Sequence, residues 1–425
     1  MASVNRRHLV EGLDLAMMTF WFFAASSQFP YTSILLMAGL AYFAIRIAFH
    51  WKTVFRAFTS RFSIWLIPAL AVLSTVWSTD SAFTLRSGLQ LTATALIACY
   101  FATRLKLWQV IASLGVAATI ILLMNLQGVL TSGDGQMFRG GFDQKNFFAS
   151  RVTPALLVAA TFLAYVRMRL RLALIVLPIL AAIAFFAALS IIRAESVTAM
   201  IAATLTVLTI IATWMLTSRS VAVRGLFLSA AVAIAAAGAV GYVTVVKQDP
   251  IDLVLESFGK DRSLTGRTQI WAAAERAISD RPIVGHGYQA FWWSRAGALV
   301  KQRQLVRPDQ PFYFHNTFLE HTVSLGYLGL VAVIACIAQM VWLITRAVFA
   351  RADAVTAFFL GLSVYMLLRA LVEVDLFRPF EPLQTMFWVA AAALPAYAAQ
   401  RSKRAPAVAA PGLDPLPTAG LRKTV

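Results

Sequence analysis

The sequence predicts an all-α polytopic membrane protein. Of its 425 residues, 60% are hydrophobic and only 13% are charged, against roughly a quarter charged in soluble domains. Mean hydropathy is +0.73, and apolar stretches close to the ~20 residues that cross a bilayer recur along the chain. The net charge of +18 is spread over short loops between apolar stretches. That is the pattern of membrane topology and argues against a nucleic-acid partner.

Hydropathy windows predict about twelve spans, centred near Phe20, Met37, Leu70, Thr94, Thr119, Val158, Ile179, Val207, Ile234, Val333, Leu362 and Ala391. The first is interrupted by Ser26, Ser27 and Gln28 ahead of Pro30. No small-residue cleavage site follows it, so it reads as a span and not as a removable leader. Cys99 and Cys336 both fall inside apolar spans without metal-ligand or redox spacing, and read as buried thiols.

Alternate loops carry the positive charge: Arg6 and Arg7; Arg46, Lys52, Arg56 and Arg61; Arg104 and Lys106; Arg167, Arg169 and Arg171; Arg219 and Arg224; Arg346 and Arg351; Arg401, Lys403 and Arg404. The positive-inside rule places these loops and both termini in the cytoplasm. Acidic residues gather on the opposite side, with Glu11, Asp14, Asp353 and Asp414 as exceptions. Residues 1–400 form one transmembrane domain in this reading, and the Ala-, Pro- and Gly-rich segment 401–425 is a disordered cytoplasmic tail.

Between the ninth and tenth spans lies the one long polar insert, residues 247–311, expected on the periplasmic side. Ile270, Trp271, Ala274, Ala277 and Ile278 recur at helical spacing and predict an amphipathic helix over 265–280, ended by Pro282. A second helix is expected over 289–304, with Phe291 and Trp292 near its start. Both are expected to lie flat on the membrane–water boundary.

Charged groups at a membrane edge are costly and mark candidate sites. Arg267 stands in the first turn of the predicted helix, where a guanidinium beside a helix N-terminus would grip phosphate; a salt bridge to Glu275 or contact with lipid head groups is the alternative. His315, followed by Asn316, opens the tenth span and could serve as a general base towards a hydroxyl, or simply sit in an aromatic belt with Phe312, Tyr313 and Phe314. Glu320 lies a little over one turn further on and could orient it.

Arg139 and Lys145 flank Gly140 and Gly141, a pair that permits close backbone approach, and Asn146 either joins the site or caps the next helix. Arg193 pairs with Glu195 or faces a phosphate. Glu373, Asp375 and Arg378 form a solvated turn or part of a sugar site. No metal-ligand cluster, Walker-type loop or dinucleotide fingerprint occurs, so neither a metal nor a cofactor is called for.

Several motifs resemble one family. Gly266-Arg267-Thr268-x-x-Trp271, then Arg281-Pro282-x-x-Gly285-x-Gly287-Tyr288-x-x-Phe291-Trp292, are similar to the bacterial O-antigen ligase and exopolysaccharide polymerase superfamily. So are His315-Asn316-x-x-Leu319-Glu320, Leu325-Gly326-Tyr327-Leu328-Gly329-Leu330 and Gly141-Phe142-x-x-Lys145-Asn146. The likeness is nearest to succinoglycan-type exopolysaccharide polymerases. It covers roughly residues 139–330 in motifs and the whole chain in topology.

The resemblance implies metal-independent, inverting glycosyl transfer at the periplasmic face of a bacterial inner membrane. The donor would be a glycan on undecaprenyl pyrophosphate and the acceptor a second glycan, with membrane lipid around the protein and a chain-length-determining copolymerase as a further partner. Arg267 would bind the pyrophosphate and His315 would activate the acceptor hydroxyl. Arg193 matches a second family arginine loosely, because the family's Ser-Arg or Ser-x-Thr pattern reads here Arg193-Ala194-Glu195-Ser196-Val197-Thr198. Asp375 matches a late acidic residue. Arg139, Lys145, Asn146, Trp271, Arg281, Asn316 and Glu320 are carried along as substrate-binding positions. The same chemistry could instead serve a ligase, moving finished glycan onto lipid A core. A polar-solute transporter is the reading from another class.

Overall fold

In a computed structural model, residues 2–131, 138–165, 170–217, 267–307, 309–310 and 312–402 are described, the side chains from residue 9 to residue 400 except 267 and 268. They form helices and connecting turns without a β-strand. In chain order these are α1 (Ala2–Ser26), α2 (Thr32–Thr59), α3 (Phe62–Leu73), α4 (Ser81–Arg104), α5 (Leu107–Thr131), α6 (Lys145–Tyr165), α7 (Leu170–Arg193) and α8 (Val197–Met215). After the insert's first part come α9 (Arg267–Asp280), α10 (Arg295–Arg303), α11 (Thr317–Ala350), α12 (Ala354–Ala370) and α13 (Pro382–Ser402).

Eleven of the twelve expected span centres lie in these helices, and the twelfth, Ile234, lies outside the described residues. Seven described helices are long and apolar enough to cross a membrane. The others that hold span centres differ for physical reasons. Helices α3 and α12 are short, α4 dilutes its apolar residues with Ser, Thr, Gln and Arg86, and α13 dilutes them with Pro382, Gln384 and Pro395. Helix α7 shows what faces lipid. Only 6% of its most apolar window is buried by the protein, leaving Leu174, Ile175 and Phe185 exposed, as suits a hydrocarbon solvent and not water.

The interior is not purely apolar. Asp14 on α1 pairs with Arg46 on α2 at 2.9 Å and accepts from Tyr42 and Tyr100 at 2.7 and 2.8 Å. Arg151 on α6 makes a two-pronged pair with Glu381, one arm at 2.8 Å, and Arg369 on α12 pairs with Asp375. In apolar surroundings a charge persists only when it is partnered. Asp14–Arg46 and Arg151–Glu381 join segments far apart in the sequence and so fix which helices may neighbour one another, whereas Arg369–Asp375 ties the end of α12 to the loop that follows it.

The element that positions the insert is a break in α11. Gly326 has φ +68° and ψ −168°, out of the helical region, so the carbonyls of Val323 and Ser324 and the amides of Tyr327 and Leu328 lose helical partners. Segment 282–287 supplies them: the amides of His286 and Gly287 donate to Val323 and Ser324, and Tyr327 and Leu328 donate to the carbonyls of Pro282 and Ile283. Irregular backbone within a span is tolerated only where it is satisfied in this way. On its other side the same segment meets the 74–84 turn. The Trp77 indole donates to Val284 O at 2.8 Å, Thr79 N to His286 O at 2.9 Å, and the Tyr288 amide to Ser74 Oγ at 3.0 Å.

Glycine is obligatory at this crossing. A Cβ on Gly285 would lie 2.6 Å from backbone atoms of Ser324, Leu325 and Gly326, and one on Gly326 would lie 2.1 Å from Ile283 O. Tyr288 completes the anchor by donating from its hydroxyl to Phe377 O at 2.6 Å; burial pushes its phenol pKa up, so it stays a donor.

Two expectations for the insert change. Helix α9 has the foreseen stripe and ends before Pro282, although residues 247–266 and the Arg267 side chain lie outside the described portion. Ile270, Ala274 and Ala277 do not lie on lipid. They are buried with Phe291, Trp292, Phe312, Phe314 and Val323 in a separate small core. The second helix starts only at Arg295, because Gln289 takes φ +59° and Phe291–Trp293 forms a 3₁₀ turn. Ser294 then caps α10 by accepting from Gly297 N. The two aromatic residues are core, at 3% exposure each, and not a membrane belt.

We expect Gly326→Ala to destabilise the protein by roughly 2 kcal/mol or more, the cost of forcing a side chain into strained backbone. Gly12→Ala, with nothing within 4 Å of the new Cβ, should be neutral or slightly stabilising. Thermal unfolding of the detergent-solubilised variants checks both.

Candidate active site

His315 precedes α11, in the left-handed region at φ +51°. Asn316 makes that turn: it caps α11 by accepting from Leu319 N at 3.0 Å and donates to Leu371 O at 3.0 Å. Thr317 Oγ1 donates to Glu373 O at 2.9 Å. The start of α11 is thereby stitched to the end of α12, and His315 is held facing the loop 371–381.

In that loop Glu373 meets the histidine, with Oε2 3.2 Å from His315 Nδ1. An ionised carboxylate only accepts, so Nδ1 carries the proton and Nε2 keeps its lone pair, the tautomer of a general base. The other Glu373 oxygen accepts from Asn146 Nδ2 at 2.8 Å, and Asn146 Oδ1 accepts from Ser196 Oγ at 2.9 Å. Ser196, Asn146, Glu373 and His315 thus form one continuous chain across the starts of α8, α6 and α11. The dyad is largely sheltered, with side-chain exposures of 15% for His315 and 10% for Glu373.

The pocket beside the dyad, about 180 Å³, is lined by Gln28, Asp143, Gln144, Phe147, Tyr313, His315, Arg369, Glu373, Val374, Asp375 and Arg378. Two arginines and three carboxylates, Asp143, Glu373 and Asp375, meet there, so the arginines are local cationic donors in a lining of mixed charge. Arg378 donates to Val374 O at 3.2 Å and to Tyr313 Oη at 2.6 Å, lies over the Tyr313 ring, and has no carboxylate at ion-pair distance among the described residues. Arg369 bonds Asp375 through Nε, while its buried Nη1 has no hydrogen-bond partner. A buried guanidinium N–H without an acceptor is costly, and beside a pocket it is a ready donor for an anion.

The sequence-derived positions separate here. His315, Asn146 and Asp375 come together. Asp375 pairs with Arg369, and so sets that guanidinium instead of facing open solvent. Trp271 is one shell out, its indole donating to Phe314 O at 2.8 Å, on the residue before His315. Arg267 begins the same helix one turn earlier, and its side chain lies outside the described portion. Arg193 ends α7, its carbonyl accepting from Phe138 N, three residues before Ser196. Arg139 is exposed on the loop before α6, and Lys145 is the first residue of that helix.

Three positions make structural contacts in this arrangement. Arg281 donates to Trp77 O at 3.1 Å and does not line the pocket. Asn316 is the helix cap described above. Glu320 does not orient His315: it is 5% exposed, accepts from Trp292 Nε1 at 3.1 Å and from Phe314 N at 2.9 Å, and so braces the turn. Glu373 takes the orienting role, 58 residues away in sequence. Sequence reasoning read Glu373 and Arg378 as a solvated turn or part of a sugar site, without linking either to His315, and did not notice Arg369; an arginine in an apolar helix was the available signal.

Residues 182–334 match the family model described as O-antigen ligase. The match takes in Arg193, Arg267, Trp271, Arg281, His315, Asn316 and Glu320. The chain is also 32% identical over 185 residues to the exopolysaccharide production protein ExoQ of Rhizobium meliloti (strain 1021). Both matches make the matched region similar to the O-antigen ligase and exopolysaccharide polymerase superfamily. The alignment with ExoQ covers 42% of this chain and 42% of that relative. Within the superfamily region lie the base candidate, α9 and the Gly326 crossing, whereas Asn146, Glu373, Asp375 and Arg378 lie outside the family match. The motif glycines now have a physical reason: they let segment 282–287 repair the broken helix that carries His315.

Nitrogen-15 histidine NMR should show His315 as the Nδ1–H tautomer, assigned by its loss in His315→Gln. Glu373→Ala should shift that signal towards the tautomer mixture of a free imidazole, whereas Glu320→Gln should not.

Proposed function

We propose that this chain polymerises lipid-linked oligosaccharide repeat units into exopolysaccharide by metal-independent, inverting glycosyl transfer. The observation that carries the reading is the His315–Glu373 dyad in a pocket with Arg369 and Arg378. A base beside cations is what the transfer requires when the leaving group is a pyrophosphate.

In the proposed step an acceptor hydroxyl gives its proton to His315 Nε2 while its oxygen attacks the anomeric carbon of the donor sugar. The bond from that carbon to the phosphate oxygen breaks, and undecaprenyl pyrophosphate leaves with the electron pair. Attack opposite the leaving group inverts the anomeric centre, and no covalent enzyme intermediate forms. Glu373 stabilises the imidazolium that results. Arg369, Arg378 and, by family likeness, Arg267 neutralise the charge growing on the pyrophosphate. Asn146 and Ser196 hold Glu373 in register, and Arg193, Arg139 and Lys145 add positive charge around the approach.

The charge pattern of the loops supports about twelve spans with both termini in the cytoplasm of the inner membrane and the pocket on the periplasmic side. The His315 end of the bundle is the end that receives the insert, the 128–146 loop and the 190–196 turn, all read as outward-facing. A donor anchored by its isoprenoid in the outer leaflet would reach such a pocket sideways from the bilayer. A copolymerase that sets chain length is a further proposed partner.

In a deletion strain, single repeats should accumulate on the lipid carrier and polymer should vanish. His315→Ala should fail to restore polymer at normal protein level, and Glu373→Gln should lower polymer formation by about 10²-fold or more, as loss of general-base assistance does. Lipid-carrier and polymer analysis checks this. Long glycan stranded on the carrier would instead mark a ligase, and no change in either species would favour the transporter.

A further inference from the structure

A second cleft of about 210 Å³ adjoins the His315 pocket and shares Tyr313 with it. Its walls are Phe83, Arg86, Ser87 and Gln90 from α4 together with Gln289, Trp292, Trp293, Phe312, Tyr313 and Glu320. The lining is of two kinds. Trp293, Tyr313 and Phe312 supply ring faces and edges, Trp293 being 39% exposed with Lys301 4.2 Å above its ring. Gln90 and Arg86, one turn apart on α4, supply polar groups. Gln90's amide has no hydrogen-bond partner and Arg86 no carboxylate at ion-pair distance among the described residues. Arg86 is exposed and Gln90 half-buried, so both polar groups stand open at the cleft wall as donors to a ligand.

An isoprenoid tail would call for walls without such groups. A sugar ring presents the complementary surface, with an apolar C–H face for aromatic rings and hydroxyls for amide and guanidinium groups. We propose that this cleft is a saccharide subsite holding a sugar ring of the acceptor glycan next to the one whose hydroxyl His315 activates. The inference rests on the glycosyl-transfer reading above. Its direction follows from the geometry: Phe312 packs edge-on to His315 at 6.0 Å between ring centres and also lines the cleft, so a glycan leaving the base's side enters this cleft over Phe312 and Tyr313. The mouth accommodates one ring, and Gln90 and Arg86 bond its hydroxyls.

The test uses the full-length protein in nanodiscs and the delipidated oligosaccharide repeat of the host polymer as probe. Binding is followed by saturation-transfer NMR and calorimetry, and polymer formation from lipid-linked repeats is measured on the same preparations. Gln90→Ala and Trp293→Ala should each weaken oligosaccharide binding by about tenfold, the scale of one lost buried hydrogen bond or ring contact. They should raise KM for the acceptor more than they lower kcat, and Trp293→Phe should recover most of the loss. Trp108→Ala, on an exposed lipid-side tryptophan, should bind as wild type does. Unchanged binding in both cleft variants while wild type polymerises overturns the subsite and leaves the proposed function standing. Binding that falls in both variants, in a protein with no transferase activity, overturns the function and keeps the sugar site. Failure of the wild type to bind or polymerise overturns both.

Discussion

The constraint on which this structure turns is that backbone amides and carbonyls cannot be left open at membrane depth. Helix α11 breaks at Gly326, and four hydrogen bonds from segment 282–287 restore what the break removed. That single crossing fixes where the polar insert meets the bundle. It presses Tyr288 against Phe377, sets α9 beside the start of α11, and leaves Trp271 in reach of the carbonyl before His315. A helix unbroken at Gly326 would offer segment 282–287 no partners.

Charge is handled by the same logic of satisfaction. Two ion pairs, Asp14–Arg46 and Arg151–Glu381, lock helix neighbours within the bundle, and a third, Arg369–Asp375, ties α12 to the loop that follows it. Around the candidate active site the matching is deliberately incomplete. Glu373 is fully occupied by His315 and Asn146, but Arg378 meets no carboxylate and Arg369 keeps one unbonded N–H. The unengaged guanidinium N–H groups lie beside a sheltered pocket, where a low effective dielectric makes a charge-assisted hydrogen bond count more than it would in water.

Legibility followed the range of the interactions. Span positions, the α9 stripe and the singling out of His315 rest on local periodicity and on residue types, and they could be read directly. The site itself could not. The acid that orients His315 was sought one turn away at Glu320, whereas Glu320 serves a backbone amide and an indole, and Glu373 arrives from another helix end. Arg281 belongs to the motif yet anchors the 74–84 turn. Gln289 to Trp293 looked helical because its residue types allow it, but burial of Phe291 and Trp292 in the small core favoured a left-handed residue and a 3₁₀ turn.

By itself the sequence determined the apolar character of this protein, the spacing of its apolar stretches, the likeness of its central region to one superfamily and the histidine proposed as base. These depend on composition and on short motifs, which carry their physics wherever they occur. Tertiary structure alone decided which carboxylate holds that histidine, which arginines are spent on ion pairs and which are left to meet an anion, and that aromatic residues of the insert form a core and a cleft instead of a membrane belt. Apart from the local Arg369–Asp375 pair, these are contacts between segments tens to hundreds of residues apart, and only packing brings such partners together.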